Sequence, residues 1–355
     1  MFVVISGVAN PRALPFLVPA SLVLVGLLFW LLRQPKSERG RLKLSAKVAL
    51  PLVTLFIAGI VAEAVLQLCA FNSFRPLSPG FGYRHDPLLG WFPVPNDRRG
   101  GGVTITNNSV GFRGPEFPVD GKPSLLFLGD SMVWGYDIQA ADRFTEKLQA
   151  AHPEWNIYNL GVVGYGTDQE LLMLKRFVDV LKPSLVFLVF CAQNDHEDNS
   201  ASARYGWYKP YFTTNGFGVQ LGGTPVPCSE AVFWSAHHVL AHSSLLRLAV
   251  RAWKNSTMPP ISVHDDPSPA LLLEMQSYVR SKGAGLVVCL TADDPPISRL
   301  LEDSRISYVC LTNIATLPGD YHWSTNGNSV VAERLNAFIT SNQVLSARLR
   351  VRGLR

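Results

Sequence analysis

Charged residues are scarce in this sequence: Asp, Glu, Lys and Arg make up 17% of it, whereas hydrophobic residues make up 47%. A soluble domain usually carries about 25% charge, and the matching apolar excess lies mainly in the first seventy residues. Bases interleaved with aromatics are also lacking. The net charge of +5 comes largely from the segment Arg33–Lys43 and from a tail carrying Arg348, Arg350, Arg352 and Arg355. Neither cluster offers the rings on which nucleobases stack, so nucleic acid is not an expected partner. There is no C-x-x-C pair or other metal-ligand spacing among the five cysteines, Cys69, Cys191, Cys228, Cys289 and Cys310. An odd count excludes a complete disulfide framework. Cys191, Cys289 and Cys310 fall in apolar, strand-like runs, where cysteine behaves as a small buried hydrophobe. No internal repeat is present.

What the chain does have is two long apolar runs. Leu14–Leu32 is nearly wholly apolar and, at roughly 19 residues, matches the length that crosses a bilayer as a helix. Val48–Phe71 is a second run, interrupted chiefly by Glu63 and Gln67. Between them Arg33, Lys36, Arg39, Arg41, Lys43 and Lys47 face a single acid, Glu38. Short basic loops stay in the cytoplasm, so a two-helix hairpin over residues 1–71 places both termini on the other side, the periplasm in a bacterial cell. A cleaved leader would need a basic stretch before the first run, and only Arg12 stands there. Glu63 inside the second span is costly; it is expected to face the first helix or to reach toward the interface.

Residues 72–123 are rich in Gly and Pro and read as a linker that becomes an N-terminal apron, with a short strand at Val103–Thr106. From Ser124 the pattern alternates. Segments at Ser124–Leu128, Asn156–Leu160, Leu185–Phe190, Gly285–Leu290 and Ile306–Leu311 read as strands, the third fully apolar. Helical stretches at about 142–151, 167–181 and 325–340 intervene or follow. Continuous apolar strands separated by helices predict an α/β domain, a parallel five-stranded sheet with helices on both faces, over residues 124–345. The alternation breaks at residues 196–260, an insertion with a β-hairpin around Asn215-Gly216 and a helix over about Glu230–Trp253. It follows the third strand, at the sheet end where ligands bind in such folds. A basic tail closes the chain over residues 346–355.

Four segments at successive strand ends carry chemistry. Phe127-Leu-Gly-Asp-Ser131 runs from a strand into a turn and then a helix, placing a serine hydroxyl near free amide donors at a helix start. Asn159-Leu-Gly-Val-Val-Gly164 is a glycine loop whose amides can approach an oxyanion closely. Ala192-Gln-Asn194-Asp brings a neutral amide donor to the same end of the sheet. Asp320-Tyr-His322-Trp supplies an imidazole that can take a serine proton and a carboxylate that can hold its tautomer. His196 is a rival base by its closeness to Asn194. His237, His238 and His242 share the expected insertion helix, the last two at a zinc-capable i,i+4 spacing.

These segments resemble the four blocks of the SGNH (GDSL-like) hydrolase superfamily, over about residues 124–339. Asn108-Ser-Val-Gly-Phe-Arg-Gly-Pro115 resembles the lead-in of its membrane-attached bacterial members. The resemblance implies Ser131 as nucleophile, His322 as general base, Asp320 as its orienting acid, and an oxyanion hole formed by Ser131, Gly164 and Asn194. It requires no metal and no cofactor. Two departures stand out: Ala192 replaces the usual glycine of the third block, and one residue rather than two separates Asp320 from His322.

The expected function is therefore a membrane-anchored serine esterase at the periplasmic face of a bacterial inner membrane, working through an acyl-enzyme at Ser131. By the resemblance its leading substrate is an O-acetylated cell-envelope glycan, with lipid esters second. An O-acyltransferase using the same triad is the first alternative. A non-catalytic envelope scaffold or glycan-binding protein is the second.

Overall fold

The computed structural model describes residues 39–68, 82–100, 102–215, 218–237 and 240–350. The chain divides into two units: Gly80–Phe233 with Pro259–Arg355, and Met1–Pro79 with Trp234–Met258. The expected insertion 196–260 is thus shared between them, its later part, Trp234–Met258, belonging with the N-terminal segment.

The larger unit is built on five parallel strands, β1 (Ser124–Leu128), β2 (Asn156–Asn159), β3 (Leu185–Phe190), β4 (Gly285–Leu290) and β5 (Ser307–Cys310), in the order β2-β1-β3-β4-β5. Leu125 of β1 pairs with Ile157 of β2 and with Leu185 of β3, and Val287 of β4 pairs with Phe187 of β3 and Ser307 of β5. Each strand lies within one residue of its expected position, and the central β1, β3 and β4 are covered on both faces.

Alternate residues feed two separate cores. Leu126, Leu128, Val186, Leu188, Phe190 and Val288 pack with Leu171 and Leu174 of the helix Thr167–Leu181 and with Leu271 and Met275 of Ser268–Ser281. On the other face Leu125, Phe127, Phe187, Val189 and Cys289 pack with Phe144 and Leu148 of Phe144–Ala151 and with Val331 and Leu335 of Thr325–Ser341. The expected basic tail begins inside a helix, Gln343–Arg350, which buries Leu345 and Leu349 against this second core. Strand order reverses between β1 and β3, and crevices at such a switch point, beyond the carboxyl ends of the strands, are where ligands bind.

The apron folds as two short antiparallel pairs, Tyr83–Asp86 with Gly90–Pro93 and Arg98–Arg99 with Ile105–Thr106. Its Arg113 is nearly buried and donates to the carbonyls of Gly135 (2.6 Å) and Ile138 (2.6 Å), while its guanidinium lies 4.5 Å from the Trp134 ring. The lead-in segment therefore pins the turn that follows β1. In the insertion, Tyr211–Asn215 pairs with Gly218–Gly222 as a hairpin.

In the smaller unit a single helix runs over Arg39–Leu68, and its window Leu50–Gln67, 18 residues of mean hydropathy 2.0, is long and apolar enough to cross a membrane. The other expected span, Leu14–Leu32, lies outside the described residues. The insertion helix expected over Glu230–Trp253 is divided instead into Glu230–Ala236, a 3-10 turn at Leu240–His242, and Ser244–Thr257. The break has a local cause: the Ser243 side chain accepts from the Leu246 N–H at 3.1 Å and so caps a new helix. His237 and His242 consequently do not share a helix, and His238 lies outside the described residues.

Candidate active site

Ser131 opens the short helix Ser131–Trp134 directly after β1. Asp130 caps that helix, its carboxylate accepting from the Met132 N–H at 2.8 Å, and Gly135 ends it with φ of 81°. The glycine loop after β2 presses against it: a Cβ on Gly161 would stand 2.3 Å from the Trp134 nitrogen. His322 comes from the loop after β5, just before the helix Thr325–Ser341, whose N-cap Ser324 accepts from the Gly327 N–H.

These loops converge. His322 Nε2 is 2.7 Å from Ser131 Oγ, and His322 Nδ1 is 2.7 Å from Asp320 Oδ1. With the ring proton on Nδ1, where the carboxylate can accept it, Nε2 is the lone pair that accepts from the serine hydroxyl. The Asp320 oxygen also accepts from the His322 backbone N–H at 3.2 Å, an arrangement that the single-residue spacing permits. Burial raises the pKa of Asp320, but the hydrogen bonds and charge of His322 outweigh it and leave the carboxyl below its ordinary range.

Two residues not anticipated from the sequence flank the imidazole. The Tyr136 and Tyr321 rings each stack on the His322 imidazole, with centroids at 4.3 and 4.4 Å and planes 22° and 24° apart. Such stacking fixes the plane of the ring between Ser131 and Asp320. The signal available was proximity alone: Tyr321 lies between Asp320 and His322, and Tyr136 lies just past the Ser131 helix.

Asn194, after β3, brings its Nδ2 to 3.2 Å from Asp130 Oδ2, the same oxygen that stands 3.3 Å from Ser131 Oγ. That amide also reaches Asp198 Oδ2 (3.0 Å) and the Tyr205 hydroxyl (3.3 Å). Gly164 takes φ of 77°, and a Cβ there would meet the Tyr205 ring at 3.3 Å. Tyr205, from the insertion, thus walls the space beside the glycine loop. The Ser131 and Gly164 N–H groups meet no acceptor among the described residues, which leaves both available to an incoming oxygen. The resemblance makes the Asn194 amide a third such donor, and on that expectation Asn194→Ala should lower kcat on an acetyl ester by about 10²–10³ with little change in KM; an unchanged kcat would leave the amide to its bonds with Asp130, Asp198 and Tyr205.

His196 is not placed to serve as base. Its ring nitrogens lie 2.6 Å from Asp266 and 2.6 Å from Asp294, so it ties the lead-in to the helix Ser268–Ser281 to the N-cap of Pro295–Asp303.

Beneath the site lies a dense set of buried acids: Asp130, Asp168, Glu170, Asp195 and Asp198. Lys209, fully buried, pairs with Asp168 and donates to the Asp198 carbonyl at 2.8 Å. Glu170 has no hydrogen-bond partner for either carboxyl oxygen among the described residues. Burial, then the charges of Asp195 and Asp130, push its pKa well above the ordinary 4.5. Burial likewise raises Asp198, to about 6, against the opposing pull of Arg204.

A carboxyl that keeps its proton when folded binds more protons than the unfolded chain once the pH passes its ordinary value. Stability then falls as the pH climbs from there toward the folded pKa. Glu170→Gln, which cannot ionise, should flatten that fall: denaturant melts between about pH 5 and pH 8 should show the variant gaining on the parent as pH rises. An equal pH slope in both proteins would mean that Glu170 is already charged in the fold.

No protein-family model and no curated protein matches the sequence. Several solved structures are similar. A member of the lipolytic G-D-S-L family from Veillonella parvula shares 12% identity over 62% of this chain and 99% of its own, with a TM-score of 0.37. The psychrotrophic esterase EstA from Pseudoalteromonas shares 11% over 62% and 98%, TM-score 0.37. An acetyl-xylooligosaccharide esterase from Geobacillus, solved as a point mutant, shares 12% over 60% and 92%, TM-score 0.33. At such scores the site's own geometry, rather than the likeness, carries the functional reading.

Proposed function

We propose that this chain is a serine ester hydrolase of the SGNH kind, held at a membrane by its N-terminal apolar segment. The observation that carries the reading is the continuous hydrogen-bonded line from Asp320 through His322 to Ser131. In the reaction, Ser131 Oγ attacks the ester carbonyl as its proton passes to His322 Nε2. The tetrahedral oxyanion is held by the N–H groups of Ser131 and Gly164 and the side-chain amide of Asn194, and Asp320 stabilises the imidazolium. His322 then protonates the leaving alcohol as the C–O bond breaks, leaving an acyl group on Ser131. Water, deprotonated by the same imidazole, releases the acid and restores the serine. A sugar hydroxyl in place of water would turn the same residues to acyl transfer.

The substrate class we infer is ester-linked acyl groups of the cell envelope, with O-acetyl groups on a glycan ahead of lipid esters. Support for an envelope location comes from Leu50–Gln67 and from the basic linker before it, which favours a periplasmic active site under the positive-inside rule. An alkyl phosphonate tests the chemistry. It should form one covalent adduct, mapped to the peptide of Ser131 and absent from Ser131→Ala. A protein that folds yet takes up no phosphonate would be a scaffold rather than an enzyme. Comparing acetylated glycan with phospholipid as substrate then orders the two envelope candidates.

A further inference from the structure

The helix Ser244–Thr257 is inside out for a helix on a water-soluble surface. Leu245, Leu246, Leu248 and Trp253 are 38–57% exposed, and Leu240 just before them is 47% exposed, whereas Arg247 (9%) and Lys254 (4%) are buried. At 100° per residue, Leu245, Leu248, Ala249, Ala252 and Trp253 share one side, and Arg247 and Lys254, seven residues apart, share the other. A surface helix ordinarily turns its charges to water and its leucines to the core.

The start of this helix is tied to the apolar helix of the same unit. Glu63 accepts from the N–H groups of Ser244 (2.7 Å) and Leu245 (2.8 Å) and from the Ser243 hydroxyl (2.9 Å). Gln67 donates to the carbonyl of His242 at 3.3 Å. A carboxylate at the positive end of a helix is a favourable cap, which gives the one acid in the Leu50–Gln67 window its partner. Glu63 stands four residues before the end of that window, about 6 Å along the axis at 1.5 Å per residue. Amphipathic helices that lie in a membrane interface are buried about 5–10 Å into the headgroup–acyl boundary. The two depths agree.

We propose that Ser244–Thr257 is a second membrane contact, an interfacial helix whose exposed leucines and Trp253 face the acyl chains of a phospholipid bilayer. The chain leaves the larger unit after Phe233, returns to the membrane segment, and comes back at Pro259. Trp253, 57% exposed, is the residue type enriched at the membrane–water boundary. The inference rests on the reading that Leu50–Gln67 crosses the bilayer, and both can be tested together.

In the full chain, reconstituted in nanodiscs of phosphatidylethanolamine and phosphatidylglycerol, a benzophenone side chain is placed at Leu248 and, in a separate protein, at Leu55 within the span. Illumination should give phospholipid adducts at both positions, in yields of the same order. Lipid adducts at Leu55 with none at Leu248 would overturn the interfacial helix alone. So would a Leu248 adduct joining two copies of the chain, which would make this face a dimer contact. No lipid adduct at either position would overturn the membrane anchor, and the second contact with it.

Discussion

Ser131→Ala and His322→Ala are each expected to lower kcat on a chromogenic acetyl ester by about a millionfold, and the double variant by little more than either alone. The non-additivity is the sharper part of the expectation. Ser131 Oγ lies 2.7 Å from His322 Nε2, nearer than the 3.3 Å to the Asp130 carboxylate, so the hydroxyl and the imidazole act as a pair. Removing one leaves the other without a task. Residual turnover would come from the amides of Ser131 and Gly164 polarising the carbonyl toward water. Single-turnover measurements would separate this from slow product release. If His322→Ala kept more than about a hundredth of the rate, the proton would have another acceptor, and Asp130, whose carboxylate lies 3.3 Å from the hydroxyl, would be the group to examine.

Asp320→Asn should cost about 10⁴ in kcat while leaving the fold intact. The carboxylate accepts from His322 Nδ1, which keeps the Nε2 lone pair directed at Ser131. An amide at position 320 can donate to Nδ1 instead, which shifts the ring proton to Nε2 and presents the serine with a donor rather than a base. The Tyr136 and Tyr321 rings on either side of the imidazole would still hold its plane. The variant should therefore lose the correct tautomer more than the geometry. A loss of less than about tenfold would show that the shortened Asp320–His322 spacing carries no orienting role, since a tautomer error costs far more. Asp130→Asn would then be the informative comparison.

Much of this was legible in the sequence for a physical reason. The three central strands, buried almost throughout, leave nearly uninterrupted apolar runs, and all five strands could be placed to within a residue. The residues that meet at the site lie in loops at the same ends of those strands, so Ser131, Asn194 and His322 could be grouped before any distance was known. What stayed hidden depends on which neighbour covers which face. Periodicity joined Glu230–Trp253 into one helix because it cannot register that Ser243 turns its hydroxyl back on Leu246. The stacking of Tyr136 on His322 and the wall formed by Tyr205 depend on loop paths that leave no pattern. The buried acids look like ordinary surface charge until the insertion carries Lys209 in among them. Glu63 was recognisable as costly, but beside Gln67 its partners are 180 or more residues away.

That last link bears on how a soluble form of the protein could be made. A chain shortened to start at Gly82 would keep every residue of the sheet and of the Ser131–His322 line. It would also delete the carboxylate that caps Ser244–Thr257, leaving a detached helix with its leucines bare. Such a truncate should self-associate or need detergent despite having no spanning segment. Replacing residues 234–258 by a short polar linker at the same time is the design that should restore solubility.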